Sequence, residues 1–545
     1  MVSRRQWLRG AAALAAAPFV LRPGRNLGWA ATTAPLPVPS LEEGRLVGGV
    51  RVFDLTIRRG IHDFGSGRRG PAIGIDATYG GPTLRMRAGE TVRLRVTNRL
   101  DETTTLHWHG FHLPAAADGG PHQRIAPGTV WTPSFRVLQK AGLFWYHSHL
   151  EGSTGRQVYF GQAGTIYVED EEEAALPLPR DYGVDDIPLV VQDRRFDADG
   201  APVYALDPMS IATGYVGDVA VVNGAVSPHF VARRRWLRLR LLNGANASLY
   251  RFRFSDRRRF HVIASDGGLL DRPRRTRALL LAPGERAQIL VEVRPGRPFR
   301  LEAEVLSPMM GMRRRGRGRI LRRLRVLDIL PEPVLDPGPR PPRRLVWLPA
   351  PQPARAVRTR RFVLEMGMGG PMMRHRSRRG GRGRMGGMDG MGGMGGMGGP
   401  AGPGGPGDPG GGDPVAGSGP LPGGGPGRRP MGMTFTINGK SMDMDRIDEV
   451  VRVGTDEIWE VINRSPMPHP FHVHDVQFRI LDRNGRRPRA HERGLKDTVL
   501  VWPMERVRLL LSFRDYTDPE LPYMYHCHTL EHEDAGMMGQ FVVVA

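Results

Sequence analysis

The chain has 545 residues, enough for two to four domains that each bury a core. Its formal charge of +23, from 78 Lys+Arg against 55 Asp+Glu, would suit an anionic partner; the arginines are scattered along the whole chain with no nucleic-acid motif beside them, so nucleic acid is excluded as a partner. The single cysteine, Cys527, excludes an intramolecular disulfide and, among 17 histidines, points to a metal-binding or catalytic thiolate.

The N-terminus reads Ser3-Arg4-Arg5-Gln6-Trp7-Leu8-Arg9, then an Ala-rich apolar run to about Leu21. This pattern is similar to a twin-arginine export signal, expected to span residues 1–34. It implies the twin-arginine export machinery as a partner and a destination in the periplasm, the cell envelope or the exterior. The run is too short to span a bilayer, and no other stretch is long and apolar enough, so no transmembrane segment is expected.

One element then recurs three times. The alternating segments Val92–Asn98, Leu237–Asn243 and Ile458–Asn463 each end in Asn, and each is followed 29, 40 and 40 residues later by Pro127, Pro283 and Pro503. Period-two alternation predicts strands with one buried face, and short strands between Gly/Pro turns predict sandwiches. The reading is all-β, with three Greek-key β-sandwich domains: residues 45–170, 185–330 and 343–545. The second carries only His229 and His261 and reads as a spacer. The third is interrupted over 366–430 by a Gly/Pro/Met tract expected to be disordered, because it lacks the apolar bulk of a core.

Eight histidines form four His-X-His pairs: His107/His109 and His147/His149 in the first unit, His472/His474 and His526/His528 in the third. On a strand, residues i and i+2 face one side, so each pair can offer two imidazoles to one metal centre. Cys527 lies between His526 and His528 and points the other way. A thiolate, two imidazoles and a weak axial thioether make a blue-copper site. Cys527, His532 and Met537 supply three of these ligands and His469 the fourth. His112 and His122 read as ordinary polar residues.

Together these motifs resemble those of the multicopper oxidases, a family that includes laccases and bacterial cuprous oxidases. The Ala535-Gly536-Met537-Met538 ending, the leader and the methionine tract lean towards the copper-efflux oxidases. The resemblance implies cupredoxin-like domains and four copper ions per chain. Carried over by position, the type 1 copper takes His469, Cys527, His532 and Met537. The type 2 copper takes His107 and His472. The type 3 pair takes His109, His147, His149, His474, His526 and His528. Asp118 and Glu533 match the family's acids that supply protons to the cluster. The implied reaction is one-electron oxidation of Cu(I) or a phenol at the type 1 copper, coupled to four-electron reduction of dioxygen to water. A role in copper tolerance and a monomeric state are expected.

For a substrate copper, Met467 and Met366 fit the family's methionine places. Ser465 stands where the family has Asp, and Asp389, Asp443 or Asp445 would have to replace the missing acids. Nine of the 24 methionines fall between Met366 and Met397, five of them at every third position. Thioethers are soft ligands that suit Cu(I), so the tract reads as a collector of cuprous ions, although the arginines from Arg374 to Arg384 would repel cations. A laccase-like oxidase of phenols or dyes and a copper carrier or store without turnover stand as the alternatives.

Overall fold

The computed structural model describes residues 33–308, 319–368 and 433–545. Nearly all of the twin-arginine leader and of the methionine tract lies outside them. The described chain is mostly strand with little helix, arranged as six sheets around three large cores. Non-consecutive strands are neighbours throughout: Val50–Gly65 runs parallel to Thr91–Asn98, Asp186–Arg194 to Trp236–Asn243, and Ala356–Met368 to Asp456–Asn463. The fold is three cupredoxin-like Greek-key sandwiches in series. Among the described residues no helix is long and apolar enough to cross a membrane.

The recurring Asn has a physical reason. Asn98, Asn243 and Asn463 are fully buried. The side-chain amide of each donates to a carbonyl two residues before the recurring Pro: Ile125 at 2.8 Å, Leu281 at 2.9 Å and Val501 at 2.9 Å. The backbone N–H of each donates to Thr129, Glu285 or Glu505, just past that Pro. One amide thus ties the end of a strand to the turn that opens a later one. Burying an amide is tolerated only with such partners. The turn needs a left-handed residue after each Pro, and Gly128 and Gly284 provide it at φ +74° and +81°; in the third copy Met504 takes φ +60° with a side chain and bears the strain.

Alternation is cleanest in the first copy, where Val92, Leu94 and Val96 are buried while Arg93 and Arg95 face solvent. The second copy departs from it: Arg238 and Arg240 are as buried as the leucines between them. Arg240 makes a two-pronged pair with Asp186 at 2.7 and 2.6 Å, and Arg238 pairs with Glu173 from the segment that leaves the first sandwich. Both faces of this strand are covered, and the charges survive burial because they are paired.

Sheet register brings the histidines together. His107 lies opposite His147 on the neighbouring antiparallel strand of the first sandwich, and His472 opposite His526 in the third.

Candidate metal centre

Two separate groups of buried ligand-bearing side chains follow from this register. The first contains Cys527, His469 and His532, whose ligand atoms lie within 4.8 Å of one another. The Cys527 Sγ is 3.3 Å from His469 Nδ1 and 3.6 Å from His532 Nδ1. The outer nitrogen of each ring is fixed: His469 Nε2 lies 2.6 Å from Ser465 Oγ, and His532 Nε2 donates to the Ala212 carbonyl at 3.1 Å. Both Nδ1 lone pairs are thereby turned towards the sulfur. Met537 is buried in the same core as Cys527, and its carbonyl accepts the Cys527 N–H at 3.0 Å. Burial raises the Cys527 thiol to about 12. The bare site therefore holds a thiol, and only a cation can draw out the thiolate.

The second group lies between the first and third sandwiches and contains all eight paired histidines. His107 stacks on His474 at 3.9 Å and His109 on His472 at 3.7 Å, so rings from the two units interleave. Three all-histidine sets, two of them sharing His109, have ligand atoms within 4.8 Å of one another: His109, His147 and His528; His149, His474 and His526; and His107, His109 and His472; a fourth joins His107 and His474 with Asp118. The Nε2 atoms of His149, His474 and His526 lie 3.2–3.3 Å apart. The two members of a pair mostly go to neighbouring sets, not to one centre as the i, i+2 rule alone suggests. In three of the four pairs the strand ends before the second histidine, and the chain has turned by His149, His474 and His528.

The donor atoms fit metal ions. His107 donates from Nδ1 to the Asp118 carbonyl and His472 from Nδ1 to the Asp497 carbonyl, both at 2.8 Å. That leaves both Nε2 atoms buried without a partner, as are both ring nitrogens of His528. A buried orphan nitrogen is costly unless a cation accepts its lone pair. Burial first, and mutual repulsion second, hold His109, His147, His472 and His474 well below the usual imidazole range, and His528 at about 3. At neutral pH these rings are uncharged, the form that binds metal.

Two carboxylates expected from the sequence are in contact with the histidines. Asp118 Oδ2 accepts from His474 Nδ1 at 2.8 Å. Glu533 is buried, 3.1 Å from His526 Nδ1 and 3.5 Å from His149 Nδ1. Met467 is buried, and its carbonyl accepts from Asn463 and Ser465 beside His469. Met366 packs at the margin of the same core as Cys527. Asp443 and Asp445 sit on an exposed loop where Asp443 pairs with Arg446, and Asp389 lies outside the described residues. His112 is more than a solvated residue. It joins Asp475 at 2.6 Å and Asp515 at 3.0 Å, tying the first sandwich to the third.

The sequence reading missed Asp497 and Arg286. Asp497 is fully buried and lies 3.0 Å from His109 Nε2. Arg286, from the middle sandwich, grips its carboxylate with two bonds of 2.6 Å. The middle unit places no histidine in these sets, yet it supplies Arg286, the Ala212 carbonyl and Gly284, where a Cβ would come within 2.9 Å of the His528 ring. Spacer describes its ligand count and not its role. The only signal in the sequence was the run Lys496-Asp497-Thr498, three polar residues opening an apolar strand.

Family models described as multicopper oxidase match residues 57–173 and 425–545. The cell division protein FtsP of Salmonella typhimurium is 34% identical over 99% of this chain and 98% of its own length, and that of Escherichia coli K12 is 33% identical over 99% of each. Among solved structures, a bacterial laccase-like multicopper oxidase CueO from Ochrobactrum sp. is 35% identical with a TM-score of 0.75, covering 94% of this chain and 100% of that one. The McoA multicopper oxidase from Aquifex aeolicus is 29% identical with a TM-score of 0.74, over 94% and 100%. Fold, buried histidine sets and relatives agree: the chain belongs to the multicopper oxidase family.

Proposed function

We propose that the chain oxidises its substrate one electron at a time at His469, Cys527, His532 and Met537 and reduces dioxygen at the eight paired histidines. His107 and His472 would hold one copper, His109, His147 and His528 a second, and His149, His474 and His526 a third. The observation that carries this reading is the turn of one strand: Cys527 faces His469 and His532 while its neighbours His526 and His528 join two of the histidine sets. Copper in these places would supply one-electron exchange at the thiolate and pooled reduction of dioxygen at the histidines.

The chain's own residues do the rest. The peptide from Cys527 to His526 and His528 is a covalent electron path. Asp118 and the Cys527 carbonyl fix which nitrogen of His474 and His526 carries the proton, and Asp118 and Glu533 are the acids we assign to proton supply. Asp497 and Arg286 hold His109 in place, and Ser465 and Ala212 aim the type 1 imidazoles.

Cuprous ion is the substrate we favour, with copper tolerance as the role. The support is the methionine content, the resemblance of the Ala535–Met538 ending and the likeness to a CueO structure. That structure is described as active towards lignin model compounds, which supports the phenol reading as well. The twin-arginine leader supports export to the cell envelope. The test is oxygen uptake with Cu(I) and with a phenol, with and without added Cu(II). A Cu(I) rate well above the phenol rate supports the cuprous reading, and the reverse order overturns it.

Likeness to FtsP along nearly the whole chain favours a second reading, a role in cell division. Restoring division in a strain lacking its own copy of this gene with Cys527→Ser would assign that role to the folded chain without turnover.

A further inference from the structure

Methionine is scarce in the cores of this protein. Among the described residues, the middle core contains none, the first only Met86, and the third Met537 with Met366 and Met433 at its margin. Against that background one apolar cluster consists of methionine alone: Met442, Met524 and Met538 are buried, and the half-buried Met444 packs on them.

The cluster sits against the histidine sets. The Met524 carbonyl accepts the His474 N–H at 3.0 Å, and Met538 is the cross-strand partner of His526. Met524 also reaches the Asp118 loop, where a Cβ on Gly120 would lie 3.8 Å from its Cγ and 3.1 Å from Asp118 Oδ2. Towards solvent the cluster is covered by the run Met442-Asp443-Met444-Asp445, whose two acids are exposed. Gln540 pins this loop by donating to the carbonyls of Asp443, Met444 and Arg446, and its other amide atom meets His122 Nε2 at 2.8 Å. Exposure falls inward from Met444 through Met442 to Met538 and Met524, the two members that adjoin His526 and His474 through the backbone.

Leucine would fill this volume as well as methionine, and only the thioether adds affinity for a soft cation. We propose that Met442, Met444, Met524 and Met538 form a cuprous-ion site and uptake path that delivers copper to the histidine sets from the side of His474 and His526. It is distinct from the thiolate site, which Cys527 serves from the opposite face of its strand. The transfer exchanges neutral thioether ligands for neutral imidazoles. The ion stays Cu(I), and no electron or proton moves. This proposal rests on the copper reading above.

Silver(I), a soft cation that does not change its oxidation state, tests the site. Crystals of the copper-loaded protein soaked in silver should show anomalous density at the sulfurs of this cluster, and the density should vanish in Met442→Leu/Met444→Leu. That pair of substitutions is close to volume-conserving, so the fold should persist. The path is tested by adding Cu(I) to copper-free protein. In the double variant the histidine sets should fill several-fold more slowly, while the blue thiolate band, developed by oxidising timed samples with ferricyanide, should grow at the wild-type rate. No silver at these sulfurs, or equal filling rates, would overturn the proposal. Failure of the copper reading looks different: the histidine sets would take up no copper, with silver still bound at the methionines.

Discussion

Asp497→Asn isolates the residue that joins all three sandwiches at the histidines. The carboxylate makes two 2.6 Å bonds to Arg286 and lies 3.0 Å from His109 Nε2, with no solvent contact. Asparagine keeps the shape and removes the charge. The Arg286 guanidinium would then be buried with Asp266, 4.0 Å away, as its nearest carboxylate, together with the carbonyls of Leu143, Gly284 and Asp266. Removing one partner of a buried pair costs about 3–5 kcal/mol, and the retained amide bonds place this case near the lower end. His109 would also exchange its carboxylate acceptor for a weaker amide oxygen, with Thr498 Oγ at 3.3 Å as its other contact; disturbing such an outer partner weakens metal binding by roughly 10-fold or more. Calorimetry should therefore give a lower Tm, and metal analysis under copper limitation should show under-filled histidine sets with the blue band retained. The double variant Asp497→Asn/Arg286→Met should lose less than the sum of the single variants, since the two share one interaction. Unchanged Tm and full occupancy in Asp497→Asn would refute the argument.

Four further outcomes are expected. Glu533→Gln should slow reoxidation by dioxygen while type 1 reduction stays near wild type, as read by stopped-flow, because the amide keeps the shape but cannot pass a proton; normal reoxidation would make Glu533 a positioning residue only. Met504→Gly should raise stability by roughly 1 kcal/mol by relieving a left-handed residue that is largely exposed, with a higher denaturation midpoint as the readout. Burial alone would lower His112, but the bonds to Asp475 and Asp515 outweigh it and raise the imidazole to about 9. The stabilisation is then complete below the unfolded value near 6.5 and is lost as pH rises through about 9, with an upper bound of roughly 3 kcal/mol; His112→Gln should flatten the stability profile over that window. Ser465→Ala should free His469 Nε2, costing about 1 kcal/mol and shifting the blue band without abolishing it.

The repeat was legible because the buried Asn is tied to the backbone on both sides of the Pro turn by bonds that demand an amide there. The histidine pairs were legible because strand geometry lets i and i+2 act together. What stayed hidden was long-range. Arg286 and Asp497 are 211 positions apart, and neither carries a motif that names the other. The Ala212 carbonyl that orients His532 is a backbone atom, which no pattern of side chains can reveal. Arg238 and Arg240 read as a solvent face because alternation reports one covered side, and only packing against the first sandwich covers the other. The methionine cluster was hidden for the same reason: its members are scattered from 442 to 538 and meet only after the sheet forms.

Reconstitution of the copper-free chain tests the account most directly. Filled with Cu(I) under nitrogen and then exposed to oxygen, it should hold four copper ions per chain, turn blue, and consume dioxygen to water without releasing peroxide, whereas Cys527→Ser should fold and stay colourless and inactive. A wild-type chain that stays colourless, or a Cys527→Ser variant that turns blue, would contradict the account.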